Sequence, residues 1–475
     1  MVKRKPGALS TAAVVGIIVV ILVAIVAGVY LFAPRSSSKA TKLTLVTFSD
    51  PANAWMSWAA KQFEKTHPNV NITIEPLSFS SYIADEVSAE QTHSSQYDIL
   101  GFTSTTALSV APYLLNLNNF FKINTTDIPQ YQLSFGGLYR NATTGATETI
   151  GAPYDSATFA MFYRTDIFNT SSPLGQQFYS EYHVQFNPSA WTNWTEVVWA
   201  DQFLVNQTHT VEYGFLTDAS LSHDIIDTFP AIYGWYYMHN QSLNGGTKGG
   251  ITNYNIMFEG TAGSNGIPLP SFNSTAGLQA LQIMRELVQY DPQPFGSSVN
   301  YGTIGSYFAN GTAAGAIMFT PENPALVASS SKVNGKYAIA ALPGNYSETG
   351  TDFLGVSKYS THAALAAQFI QYLLQPSVNA QLYYQTGEFP ISAQAVNLIS
   401  ANSSVSAWQK GIIRDVFETA AVAWANPPNI PPTAAHLIPD FNTPVYDYLT
   451  GSSSSSVAAM QALNQAAAAW VKDVS

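Results

Sequence analysis

The sequence predicts an α/β protein of two domains behind one membrane-spanning helix, and three observations carry that expectation. Residues Ala12 to Phe32 form an uninterrupted, chargeless apolar run preceded by Lys3, Arg4 and Lys5. Beyond it, segments with strand and helix patterns alternate in the rhythm of a mainly parallel sheet. Of the 475 residues, roughly 430 follow the apolar run and its linker, more than one ordinary core accommodates and comfortable for two.

The apolar run is long enough to span. About 20 residues at about 1.5 Å each cross a hydrocarbon core of about 30 Å, and the basic residues ahead of it hold the N-terminus in the cytoplasm. A cleaved secretory signal has a shorter apolar stretch, of about 7 to 15 residues. The chain has no cysteine, which removes a lipid anchor attached to an N-terminal Cys. Gly7 before Ala8 and Leu9 resembles the cut site of archaeal class III (prepilin-like) signals, although Pro6 stands where that pattern prefers a charge. The expected order is a basic cytoplasmic segment (1–11), a transmembrane anchor or signal (12–33), a linker (34–42) containing Ser36, Ser37 and Ser38, and an extracellular body.

In the body, Leu43 to Phe48 reads as a strand, and Trp55, Trp58, Ala59 and Phe63 recur at helical spacing. Val70, Ile72 and Ile74 alternate as a second strand, and Tyr97 to Phe102 reads as a buried third. In such sheets ligands sit beyond the carboxyl ends of the strands. A second block opens at Gly151 to Phe168 and continues through a helical pattern at Trp194 to Val205. The segment Ile225 to Met238 is strongly aromatic, and Leu278, Leu281 and Met284 mark a helical stripe. A helix and strand follow at Ile304 to Phe319, a strand at Tyr337 to Leu342, helices near Ala363 to Leu374 and Val378 to Tyr384, and a last helix at Val457 to Val471. The serines at 452–456 offer that helix an N-cap.

Composition narrows the function. Charged residues make up 10 % of the chain against a usual value of about 25 %, so the surface is built from Ser, Thr, Asn, Gln and Tyr. An acidic exterior favours such a surface, because carboxylates near their reference pKa of about 4 lose charge there. Sequons begin at Asn71, Asn124, Asn141, Asn169, Asn193, Asn206, Asn240, Asn273, Asn310, Asn345 and Asn402, as expected of an exported glycoprotein. A formal net charge of −11 argues against a nucleic-acid partner. No Gly-rich phosphate loop, His-x-x-x-His pair or cysteine cluster occurs, so no cofactor, nucleotide hydrolysis or metal site is expected.

Five phrases in order carry a family resemblance. Lys61 to Leu77 (KQFEKTHPNVNITIEPL) is one, and YDIL followed by Ala111 to Phe121 (APYLLNLNNFF) is another. Glu148 to Phe168 (ETIGAPYDSATFAMFYRTDIF), Phe308 to Phe319 (FANGTAAGAIMF) and Thr351 to Pro390 complete the set. Together they resemble family 1 of the extracellular solute-binding proteins, the sugar-capturing subunits of ABC importers. The resemblance implies a two-lobed periplasmic-binding-protein-like fold (type II), each lobe a mainly parallel sheet flanked by helices. Two or three segments would join the lobes, which hinge shut on ligand. It places 43–153 plus about 300–350 in lobe I, and 154–299 plus about 351–475 in lobe II. The implied partners are a sugar, the permease subunits and, through them, the cytoplasmic ATPase; the body is expected to be monomeric.

A sugar site needs aromatic platforms for CH faces and carboxylates or amides for ring hydroxyls. By the family's motif positions, Ser49, Asp50, Asn53 and Trp55 after the first strand and Thr103 and Ser104 after the third line the cleft edge of lobe I. Tyr154 and Asp155 fall at the family's "PYD" position, where Asp155 is the expected bidentate hydroxyl acceptor. Trp235, Tyr236 and Tyr237 are candidate platforms, and Glu322 and Asn323 face the same space. The family's "GGW" is replaced by Thr351 and Asp352 before Phe353, so Asp352 or Phe353 takes the place of its stacking Trp. Two rivals are a ferric-ion site at Tyr236/Tyr237 or Tyr383/Tyr384, and a secreted glycosidase, which requires two carboxyl groups about 5 to 9.5 Å apart and for which no catalytic phrase occurs.

Overall fold

The computed structural model describes residues 40–79, 81–134, 136–141, 143–221, 224–239, 256–258, 269–296, 299–345, 350–422, 434–451 and 453–474. The expected anchor (12–33) and residues 34–39 of the linker lie outside the described residues. Among the described residues no helix is long and apolar enough to cross a membrane.

Strand β1 (Thr41–Phe48) is buried from Leu43 onward because it has a parallel neighbour on each side, β2 (Val70–Leu77) and β3 (Ile99–Thr103). The helix Ala52–Thr66 closes the first unit, burying Trp55, Met56, Ala59 and Phe63 at helical spacing. A hairpin, β4 (Leu138–Arg140) and β5 (Thr147–Thr149), precedes the short β6 (Ala152–Pro153). The second sheet is built from β7 (Phe159–Arg164), β8 (Tyr213–Thr217), β9 (Ala313–Phe319) and β10 (Tyr337–Ala340); β11 (Asp352–Val356) returns to the first. The orders are β2-β1-β3-β11-β6 and β10-β7-β9-β8.

Two expectations are corrected here. The sheets are mixed rather than mainly parallel: β11 runs antiparallel to β3 and β6, and β7 antiparallel to β9 and β10. The cause is the route of the chain. β11 is fed from the other lobe, enters its sheet at the cleft end where Asp352 pairs with Thr103, and must run back against β3. β7 enters the second sheet in the same way. The lobe boundaries are also corrected, because the segment about 300–350 supplies β9 and β10 to the second sheet, not the first. Residues 351–374 belong to lobe I, where Leu354, Val356, Phe369 and Ile370 share a core with Leu43, Leu45 and Trp55. From Ala395 onward the chain is back in lobe II, with Ile399, Ile413 and Val416 packed on Phe162 and Tyr337. Three segments therefore cross between lobes: β6 to β7, β10 to β11, and the stretch after the helix Pro376–Thr386.

Lobe II has the larger and more aromatic core, with Phe159, Phe178, Trp194, Phe203, Phe229, Phe272, Phe441 and Trp470 in one cluster. The aromatic run is a helix, Ile225–His239, and packs with the helices Thr275–Val288 and Ala434–Thr450, on both of which the helix Ser456–Val474 packs in turn. The cap of the last helix falls on Ser455, whose Oγ accepts the Ala458 N–H at 3.2 Å. Arg285 donates to the carbonyls of Tyr448, Leu449 (2.6 Å) and Gly451 (2.6 Å), satisfying the end of the helix Ala434–Thr450.

Candidate ligand cleft

The crossing segments bring one end of each sheet to the same place. On lobe I, the turn after β1 is fixed by reciprocal bonds: the Asp50 N–H donates to Asn53 Oδ1 at 2.9 Å, and Asp50 Oδ1 accepts the Ala52 N–H at 2.7 Å. This leaves Asp50 Oδ2 and Asn53 Nδ2 buried without a partner. Tyr154, just past β6, donates its backbone N–H to the Asp352 carbonyl at 3.1 Å, and its ring stacks on Trp55 with centroids 6.0 Å apart. Its hydroxyl lies beside the Asp352 carboxyl but closes no hydrogen bond. Glu388 follows Gly387, whose φ of +88° ends the preceding helix in the left-handed conformation glycine favours. The Glu388 side chain is 1 % exposed, and both carboxyl oxygens lack a partner.

On lobe II, Glu322 follows β9 and accepts the Gly305 N–H at 3.2 Å. That approach requires glycine, since a Cβ at 305 would stand 2.5 Å from the carboxylate oxygen. Tyr301 donates its N–H to Asp224 Oδ2 at 3.2 Å. Its ring lies between Phe319 of its own lobe, at 6.3 Å, and Phe79 of lobe I, at 6.4 Å. Phe79 in turn packs on Phe48 and Tyr82. A row of aromatic rings thus runs from one lobe to the other beside the carboxyls.

Burial governs the electrostatics. It pushes Asp50 up to about 6, opposed first by the Ala52 N–H that its Oδ1 accepts. Burial first, then the charges of Asp50, Asp155 and Asp352, drive Glu388 well above the ordinary carboxylate range. Asp352 is raised by burial and then by Asp155 and Asp50, and Glu322 is raised to about 8 by burial against the opposing Gly305 N–H. Among the described residues, no Lys, Arg or His acts on these four.

The hinge is a polar layer in which most side chains are paired, with the Thr158 hydroxyl buried and unpartnered. Asp155 Oδ1 accepts the Asp352 N–H at 3.0 Å, and Asp155 bridges Pro390 of the third crossing segment. Gln132 donates to Ser156 Oγ at 3.3 Å and accepts from Thr351 at 2.6 Å. Thr320 donates to the Ser156 carbonyl at 2.7 Å, and Asn379 joins the Tyr154 carbonyl (2.8 Å) to the Ser392 N–H (3.1 Å).

Several expected ligand residues are therefore placed elsewhere. Asp155 is a hinge residue, not a cleft-edge acceptor. Trp55 is fully buried and donates its indole N–H to the Val378 carbonyl at 2.9 Å, because its position on the helix stripe faces the core. Phe353 stacks on Phe102 in the core beneath β3. Asn323 donates to the Gly387 carbonyl at 2.7 Å and accepts from the Tyr337 hydroxyl, both buried. Trp235 donates to the Thr192 carbonyl at 2.7 Å and packs edge-on against Tyr236 on lobe II. The Thr103 hydroxyl is within a cluster with Thr105 and Thr106, Ser104 is buried next to it, and Ser49 is exposed with its N–H on the Leu77 carbonyl. Of the tyrosine pairs, Tyr237 and Tyr383 are core residues, and the Tyr384 hydroxyl accepts from Asn402 at 3.0 Å. Asp50, Asn53, Tyr154, Glu322 and Asp352 do converge. Phe79, Tyr82, Tyr301 and Glu388 join them without having been expected; only Glu388 had a signal, in the polar break TGEFP (386–390) between two apolar stretches.

The chain matches a family model for bacterial extracellular solute-binding proteins over residues 48–380. No curated protein sequence matches it. Among solved structures it is similar to maltose-bound MalE3 of T. maritima, at 17 % identity over 90 % of this chain and 98 % of that one, with a TM-score of 0.64. The GacH receptor of Streptomyces glaucescens, solved unliganded and with acarbose, aligns at 16 % identity over 91 % and 98 %, TM-score 0.65. A substrate-binding protein from Listeria monocytogenes in complex with cycloalternan aligns at 16 % over 90 % and 98 %, TM-score 0.62. At such identities the likeness carries the fold.

Proposed function

Because the chain belongs to the bacterial extracellular solute-binding proteins, we propose that it captures a sugar, mono- or oligosaccharide, between its lobes and delivers it to the permease of an ABC importer without altering it. The observation that carries this reading is the convergence of unpartnered buried polar groups at the facing sheet ends: Asp50 Oδ2, Asn53 Nδ2, the Tyr154 hydroxyl and both Glu388 oxygens. Buried polar atoms are ordinarily paired. Donors and acceptors left open side by side suit a ligand that offers both, as sugar hydroxyls do, and the rings of Phe79 and Tyr301 suit its CH faces. The ligands of the structural neighbours, maltose, acarbose and cycloalternan, support the class. A thermal-shift screen against a sugar panel tests it, since ligand at 100 times its Kd stabilises by about 2.7 kcal/mol; a panel without a single shift overturns it.

The basic-then-apolar start supports an anchored body outside the membrane. Glycans belong first on Asn71, Asn124, Asn169, Asn206, Asn273 and Asn310, which are exposed. Protease added to intact cells then digests the body, and complete protection overturns the placement.

A further inference from the structure

The polar groups that face the cleft are held within one short span. In the sheet of lobe I, β6 and β11 lie at the hinge end and β2 at the other, with β1 and β3 between β2 and β11. Neighbouring strands lie about 4.8 Å apart, so the backbones of β2 and β11 are separated by about 14 Å. Asp352, at the start of β11, takes up one end of that span, and Phe79, shortly beyond the end of β2, takes up the other. Asp50 and Asn53, in the turn after β1, fall between them, and Tyr154 is brought to them by its stack on Trp55. Contacts bound the span as well. At the hinge Asp155 Oδ1 accepts the Asp352 N–H at 3.0 Å, and beside Glu388 the Asn323 amide of lobe II donates to the Gly387 carbonyl at 2.7 Å. At the edge farthest from the hinge, the ring of Tyr301 from lobe II meets that of Phe79, with centroids 6.4 Å apart.

We propose that the cleft takes a single sugar ring, a monosaccharide or a polyol of its size, and rejects chains of sugars. The proposal rests on reading the cleft as a sugar site. A groove that takes a chain stays open along its length, and the groups lining it are exposed there. Here Tyr154 and Glu388 are each 1 % exposed and Asp352 is 4 % exposed, so a ligand that reaches them is enclosed. The enclosed set without partners consists of donors, the Tyr154 hydroxyl and Asn53 Nδ2, and of carboxyl oxygens, Asp50 Oδ2 and both of Glu388, which together match the hydroxyls around one ring. A glycosidic bond replaces one of those hydroxyls by an oxygen that has no proton to donate, and a buried acceptor is then left unpaired. It also sets a second ring where Tyr301 meets Phe79 or where Asn323 meets Gly387, and the lobes would have to part there. The neighbours of the two tyrosines agree with so small a site. Burial first, and then Asp352, Asp50, Asp155 and Glu388, push the Tyr154 hydroxyl up; burial first, and then Asp50, Glu322, Asp352 and Glu388, do the same to Tyr301 on the other lobe.

The test is calorimetric titration of the purified protein with glucose, galactose, mannose, xylose and arabinose, and with the disaccharide and trisaccharide built from each. At least one monosaccharide binds, and its own disaccharide and trisaccharide bind at least about tenfold more weakly. A disaccharide or trisaccharide that binds within about tenfold of its monosaccharide, or that binds where its monosaccharide does not, overturns the single-ring site and leaves the sugar reading in place. Binding by no sugar of any length overturns the sugar reading itself, and the single-ring site with it. A second measurement locates the boundary. Tyr301→Ala opens the edge at Phe79, so it weakens the monosaccharide and brings the disaccharide Kd to within a few-fold of the monosaccharide Kd. A ratio of the two Kd values that stays at its wild-type level overturns the Phe79–Tyr301 contact as the wall that limits ligand length.

Discussion

The hinge and the cleft are built from the same kinds of residue on the same crossing segments, and differ in how many of their buried polar atoms are paired. Gln132, Asp155, Ser156, Thr320 and Asn379 in the hinge each have a protein partner, often one from a different crossing segment. Asp50, Tyr154 and Glu388 in the cleft have atoms that are as deeply buried and have none. An unpaired buried group costs free energy that a hydrogen bond would have recovered. Residue type therefore does not separate the two layers; unpaired buried atoms are concentrated in the cleft, and others stand outside it at Glu86, Trp194, Asp201 and Asp291. Substitution in the hinge should change stability, and substitution in the cleft should change binding.

The strongest way to break that distinction is Asn379→Ala. It orphans the Tyr154 carbonyl and the Ser392 N–H, two groups at about 1–3 kcal/mol each, and denaturant titration should show a loss of at least about 2 kcal/mol. A loss under half of that would mean the crossing segments are held by packing alone. Asp155→Ala comes next. It leaves the Asp352 N–H unpaired and should cost about 1–3 kcal/mol without ligand, with Asp155→Asn milder because the amide oxygen still accepts. An unchanged unfolding midpoint would return Asp155 to the cleft edge, where the sequence had it.

In the cleft the order of effects reverses. Tyr301→Ala removes the ring joining Phe79 to Phe319. An aromatic pair worth about 0.5–1.5 kcal/mol corresponds to as much as about a tenfold loss in sugar affinity, with little change in unfolding of the free protein. Tyr154→Phe has the smallest effect on the free protein and is the sharpest test. Since the hydroxyl is unpartnered, its removal should leave the unfolding temperature level or slightly higher while weakening ligand by about 0.5–1.5 kcal/mol, the net value of one hydrogen bond. A clear drop in stability would place Tyr154 in the hinge.

What was legible in the sequence was periodic. β1, the stripe of the helix Ala52–Thr66, the alternation of β2 and the helix Thr275–Val288 follow from spacing, because burial on one face selects apolar residues at a fixed interval. The direction of β11 and β7 was not legible. It depends on which lobe the chain arrives from, and neither strand's composition records that. The same gap misassigned about 300–350. In the site, position along the chain marks Asp50, Tyr154, Glu322 and Asp352, and the structure sets each at the end or beginning of a strand. Position failed for Trp55, Phe353 and Asn323, whose side chains turn to the core one residue away from a cleft position. Tyr301 and Phe79 lie in irregular stretches, where no period signals which way a ring points.

The grip of Arg285 on the carbonyls of Tyr448, Leu449 and Gly451 has a consequence for life at low pH. A guanidinium keeps its charge throughout the accessible range, and backbone carbonyls carry no proton to exchange. The joint between the C-terminal helices and the rest of lobe II is therefore indifferent to acid, in a chain where most buried side-chain charge is carboxylic.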